Sequence, residues 1–135
     1  MKKVIHRGGL LSVFIGIIYL WFGLHKLFPG ASPDAELARR SIAYISHGVI
    51  PHPTGIVVLA IVEGLIGLAL LTGYFTRIAV WVGIIHIVLT FTPLISEPAT
   101  VWDNIPFNLT LTGQFIFKNL IILAALISLL PGRRR

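Results

Sequence analysis

The chain contains no cysteine. That absence removes disulfides, thiol redox relays, thiolate metal sites and cysteine nucleophiles together. Charge is scarce too: Asp, Glu, Lys and Arg make up 12% of the 135 residues, against roughly 25% in ordinary soluble domains. Only five residues are acidic, and they form no carboxylate cluster of the kind a divalent cation needs. A helical HExxH and a phosphate-binding glycine loop are also missing. Serine and histidine are present, but the one acid inside an apolar run, Glu63, has lysines competing for it, which argues against a nucleophilic triad.

What fills the chain instead is apolar. Hydrophobic residues account for 56% of it, and the mean hydropathy is +0.89. A soluble domain of this size cannot hide that much apolar surface, whereas a bilayer accepts it. The class is therefore an all-α integral membrane protein, organised as a single domain over residues 1–135. The formal charge is +6, but Lys2, Lys3 and Arg7 at one end and Arg133, Arg134 and Arg135 at the other flank apolar runs. Clusters so placed set topology and meet anionic headgroups, so membrane lipids are the expected partners and nucleic acid is not. The basic start resembles a signal peptide, yet the apolar run continues to Phe28 without a small-x-small end, as a retained first span does.

Four apolar segments have the length a helix needs to cross a bilayer: residues 9–28, 54–75, 77–95 and 112–130. Period-two alternation is absent and the runs are too long for barrel strands, so a four-helix bundle is expected. Basic residues at both termini and Arg77 in the short second connection predict that these three places are cytoplasmic. Arg39 and Arg40 run against this, because they lie in a connection the same rule places outside. The two outer connections are long. The first carries a short helix signal, with Ser32 as cap, Pro33 at the first position and Asp34 and Glu36 in the first turn. The third carries Pro98, Trp102, Pro106 and Phe107, content suited to a membrane surface.

Helices in lipid associate through small residues. Ser12, Gly16, Tyr19, Gly23 and Lys26 form one helical stripe, and Ala60, Glu63 and Gly67 form another. Ala79, Gly83, His86, Thr90 and Pro93 give a third, and Gln114, Lys118, Ile121, Ala125 and Ser128 a fourth. Each stripe contains an ionisable residue, so all four are expected to face the bundle interior. From a rise of about 1.5 Å per residue and the lean of side chains toward helix N-termini, Glu63, Lys118, Lys26 and His86 should converge in the outer half, with Gln114 and His25 near the rim. The same rise separates His25 and His86 by about two turns. That is a poor match to a bis-histidine haem, and neither metal nor haem is implied.

Three motifs carry a resemblance: FGLHKLF at the end of the first span, VEGLIGLALLTGYFTR across the second and into its turn, and GQFIFKNLIILAALI in the fourth. Their order and placement resemble the DoxX family of small four-span membrane proteins. The matching positions are Gly23 and Lys26, then Glu63, Gly67, Gly73 and Arg77, then Lys118 and Asn119. Glu63 is followed by a single glycine here where many relatives carry a pair one turn later. The resemblance implies a redox-linked subunit of a bacterial or archaeal cytoplasmic membrane, with quinone as the candidate cofactor.

Two functions follow as expectations. In one, a cleft between helices holds a quinone ring, Lys118, His86 and Gln114 donate hydrogen bonds to it, and Lys26 and Asn119 complete the binding set. Glu63 then acts as proton relay or ion-pair partner, Tyr19, Trp21 and Phe115 supply aromatic walls, and electrons come from a membrane or membrane-associated redox partner. In the other, the polar cluster locks helix register in a non-catalytic scaffold or assembly subunit of a larger complex, a homo-oligomer remaining open.

Overall fold

The computed structural model describes residues 5–28, 30, 33–104 and 107–130. Lys2, Lys3, Ser32 as a cap, Pro106 and Arg133, Arg134 and Arg135 lie outside the described residues. Four helices are long and apolar enough to cross a membrane, with spans Gly9–Lys26, Pro53–Thr72, Thr76–Ser96 and Leu111–Ser128. They agree with the expected spans to within a few residues. Helix α1 (Ile5–Lys26) bends at Gly9, which has φ 49°. Helix α2 (Pro33–Ile45) opens on the predicted proline and acidic first turn. Helix α3 (His52–Thr72) ends on Gly73 in the left-handed region, whose N–H donates to the Ala69 carbonyl. Helix α4 (Thr76–Leu89) follows at once, so that α3 and α4 form a tight hairpin across the short second connection.

The third connection holds more structure than expected. After α4 come two short turns, α5 (Pro93–Ser96) and α6 (Pro98–Val101), and a two-stranded antiparallel hairpin, β1 (Trp102–Asn104) with β2 (Asn108–Leu109). Pro93 cannot donate to the Leu89 carbonyl, because it has no N–H. Thr92 takes its place with both N–H and Oγ1, at 3.1 and 2.6 Å.

Helix α7 (Leu111–Ser128) starts at Thr110, whose hydroxyl accepts from the Gly113 N–H and donates to the Thr100 carbonyl. This cap ties α7 to the turn before β1, and Thr110→Ala should cost about 1–2 kcal/mol, the upper range for lost N-caps. A thermal unfolding midpoint unchanged from the parent protein would contradict it.

The spanning helices pack in the series α1–α3–α4–α7, and α2 lies across α3 and α5. One apolar cluster runs through all four, with Ile15 and Tyr19 from α1, Ile66 and Leu70 from α3, Val80 and Ile87 from α4 and Leu126 from α7. The outward faces are also apolar, as on Phe14, Trp21, Leu65 and Ile85. A soluble protein does not expose apolar area on this scale, and hydrocarbon is the medium that accepts it.

Candidate functional site

The predicted stripes on the first three spans do face inward. Ser12, Gly16, Tyr19, Gly23 and Lys26 on α1 are buried, as are Ala60, Glu63 and Gly67 on α3 and Ala79 and Gly83 on α4. Glycine makes the α1–α3 approach possible. A Cβ on Gly23 would lie 2.9 Å from the Ala60 carbonyl oxygen and the Gly64 nitrogen. The two backbones therefore touch beside Glu63. This close approach brings Lys26 to the carboxylate.

The result is a chain of polar groups through the bundle. Lys26 Nζ lies 3.0 Å from Glu63 Oε2 and donates to Asp34 Oδ2 on α2 at 2.7 Å. Glu63 Oε1 lies 3.0 Å from His86 Nε2 on α4. His86 Nδ1 is 3.1 Å from the Tyr19 hydroxyl, which also donates to the Gly83 carbonyl at 3.1 Å. The side chains of Lys26 and Glu63 are 1% and 5% exposed, that of Asp34 34%. The lysine contact on Oε2 is an ion pair by distance, yet that oxygen receives no directed hydrogen bond. The pair is held by charge alone, since an ammonium attracts a carboxylate without ideal alignment.

Proton counting shows what this chain can do. The Tyr19 hydroxyl has one proton and two acceptors in reach, the Gly83 carbonyl and His86 Nδ1. If it donates to Gly83, His86 must donate from Nδ1, and the Nε2–Oε1 contact then requires a further proton between histidine and carboxylate. If it donates to His86, the imidazole donates from Nε2 to Glu63 and no further proton is present. The two arrangements differ by one proton. With the extra proton, Lys26, Glu63, Asp34 and His86 sum to zero charge, and without it to minus one.

These groups line one side of a cavity of about 220 Å³. Its other walls are mostly apolar. Helix α2 presents one stripe to it, Asp34, Leu37, Ala38, Ser41, Ile42 and Ile45, at spacings of three and four. Phe22 of α1, Leu59 of α3 and Phe115 and Ile116 of α7 close the rest. Asn119 reaches it from α7, its amide donating to the Thr90 hydroxyl at 2.9 Å.

Two expected members are elsewhere. Gln114 and Lys118 are exposed, and Lys118 Nζ sits 4.5 Å above the Phe115 ring rather than beside Glu63. The inward face of α7 is instead Gly113, Ile116 and Leu126, with Asn119 half-buried. That face has its own small and polar residues at helical spacing, so periodicity alone could not choose between the two stripes. His25 is at the rim, stacked on the exposed Trp21 at 4.5 Å. Tyr19 is a hydrogen-bonding hub and not merely a wall. Asp34, expected only as a first-turn acid, joins the cluster. Arg39 and Arg40, which disagreed with the orientation rule, are held by carboxylates: Arg39 by Glu36, and Arg40 by Glu97 at 2.9 Å.

The DoxX family model matches residues 9–95. The matched range contains Tyr19, Lys26, Asp34, Glu63 and His86, and α7 lies beyond it. No curated protein matches the chain, and no solved structure does.

Proposed function

We propose, from the premise that this chain belongs to the DoxX family, that its intramembrane cavity is a quinone head-group site in a redox-linked membrane subunit. The observation that supports this is the Tyr19–His86–Glu63–Lys26–Asp34 chain lining an otherwise apolar cavity. A substituted quinone ring needs flat apolar walls and a few polar groups at one edge. The cavity is smaller than the roughly 300–1,000 Å³ of sites that enclose whole drug-sized ligands. It suits one ring, with any tail leaving between helices into lipid.

The residues fit such a ring without Lys118 or Gln114. His86 and Asn119 offer polar atoms to the cavity, Phe22, Ile42 and Ile116 form walls, and Glu63 and Lys26 line it beside His86. A bound quinone supplies paired electron and proton chemistry. The chain itself would hold a proton between His86 Nε2 and Glu63 Oε1, with the charges of that proton and of Lys26 offset by the Glu63 and Asp34 carboxylates. Electrons come from a partner protein, since the chain has no cysteine. By the basic-residue rule the α2 end would face away from the cytoplasm, and the family resemblance suggests a bacterial or archaeal cytoplasmic membrane.

A specific observation also favours a scaffold reading. The same network joins α1, α2, α3 and α4, and nearly all of the Glu63 and Lys26 side chains are out of contact with solvent, as in a register lock. Titration of the detergent-purified chain with a decyl-tailed benzoquinone, read by calorimetry, separates the two. Saturable binding is expected, and His86→Leu should weaken it about tenfold, as expected for losing one hydrogen bond near a charged group. Absence of binding by the folded parent chain would remove the quinone reading and leave the scaffold.

A further inference from the structure

Between their first and last turns, the outward faces of α1, α3 and α4 carry only Leu, Ile, Val, Phe and Trp among their exposed residues. Helix α7 breaks this pattern. Lys118 is exposed about 10 Å into the span, counted at the helical rise from Leu111. Ile121, one turn further, is 73% exposed, and beyond it Ala124 and Ser128 are exposed four residues apart. A small-xxx-small pair lets another helix approach closely. Lipid tails offer Lys118 no counter-charge, and its ammonium sits over the Phe115 ring, with no ion pair to it among the described residues. Helix α7 also ends the packing series and has the least buried span, 17% against 28–33% for the others.

We propose that this face of α7 docks a transmembrane helix of a different protein, one that carries a carboxylate at the depth of Lys118. Charge decides against a second copy of the chain. A two-fold arrangement sets Lys118 against Lys118. Any other arrangement needs an exposed acid inside a span, and Glu63, the one acid within the spans, is buried against Lys26 and His86. Remaining acids, Asp34, Glu36, Glu97 and Asp103, lie in the connections. An acidic side chain in the facing helix satisfies Lys118, and Ala124 and Ser128 let that helix pack flush. The surface holds whatever the cavity takes, because Lys118 is not part of the cavity wall.

The test is site-specific photocrosslinking of the full chain in its native membrane. The crosslinker stands at Ile121, with a control at Ile85 on the outward face of α4. Position 121 should capture one other membrane protein that position 85 does not, at a helix with an intramembrane Asp or Glu. Lys118→Glu should cut the yield about tenfold by turning attraction into repulsion. Lys118→Arg should keep it, and changing the partner's acid to lysine should restore it in the Lys118→Glu chain. Capture of a second copy, capture of lipid alone, or a yield indifferent to Lys118→Glu would each overturn the proposal. Quinone binding measured on the same preparations reports on the cavity separately.

Discussion

Replacing Glu63 with leucine should lower the unfolding free energy of the purified protein by about 3–5 kcal/mol, the usual penalty for breaking one side of a buried ion pair. The size comes from what is left behind. Lys26, with 1% of its side chain exposed, would keep Asp34 as its one carboxylate among the described residues, and His86 Nε2 would lose the oxygen it faces at 3.0 Å. Removing the lysine is as harmful for a different reason. Lys26→Met leaves Glu63 and Asp34 without the cation that joins them, and like charges in a dry site repel.

The double variant should be milder than the sum. With both Glu63 and Lys26 replaced by apolar residues, no uncompensated charge remains in the dry part of the network, and Asp34 is 34% exposed to solvent. The coupling measured by the cycle should be about 0.5–3 kcal/mol in favour of the pair, the range for residues in one network. Denaturant or thermal unfolding in detergent reads all three. Stability of Glu63→Leu equal to the parent would mean that the network has no part in holding the helices. Because Glu63→Gln keeps the shape and one acceptor oxygen but not the charge, it separates packing from electrostatics in the same assay.

How much of this was legible in the sequence depends on the element. On α1, α3 and α4 the small residues and the ionisable residue share one stripe, and all three stripes face inward. Glycine permits backbone contact there, and a charge can be satisfied only where other charges gather. The α7 stripe obeyed the same periodicity, yet Gln114, Lys118, Ile121 and Ser128 face outward and only its Ala125 packs on the core. Periodicity identifies a face, but what covers that face depends on molecules outside the chain. Asp34 was legible only as a helix-start acid, because its partnership with Lys26 depends on how α2 folds back over α3. The β1–β2 hairpin left no mark in the sequence, since strands of three and two residues are too short to alternate. The cavity was legible as a cleft between helices, but not the α2 stripe that forms its wall.

The tightest packing supplies the second large effect. Gly67→Val should destabilise the protein by about 3 kcal/mol or more, at or beyond the top of the range for overpacked cores. A Cβ at Gly67 already falls 2.6 Å from the Leu20 nitrogen, 2.8 Å from the Gly16 carbonyl oxygen and 2.9 Å from Leu20 Cβ. None of these is the end of a flexible side chain, so α1 itself must move. That movement strains two contacts across the same interface, the Ser12 hydroxyl on the Leu70 carbonyl and Lys26 on Glu63. Gly64, three residues earlier on the same helix, is the control, because a Cβ there meets nothing within 4 Å. Gly64→Ala should be neutral or stabilising by up to about 1 kcal/mol, from the lower entropy cost of alanine in a helix. If the two variants unfold at the same temperature, close glycine contact is not what seats α1 on α3. If only Gly67→Val falls, and a Glu63→Leu change added to it costs less than in the parent, the glycine contact is what delivers Lys26 to its carboxylate.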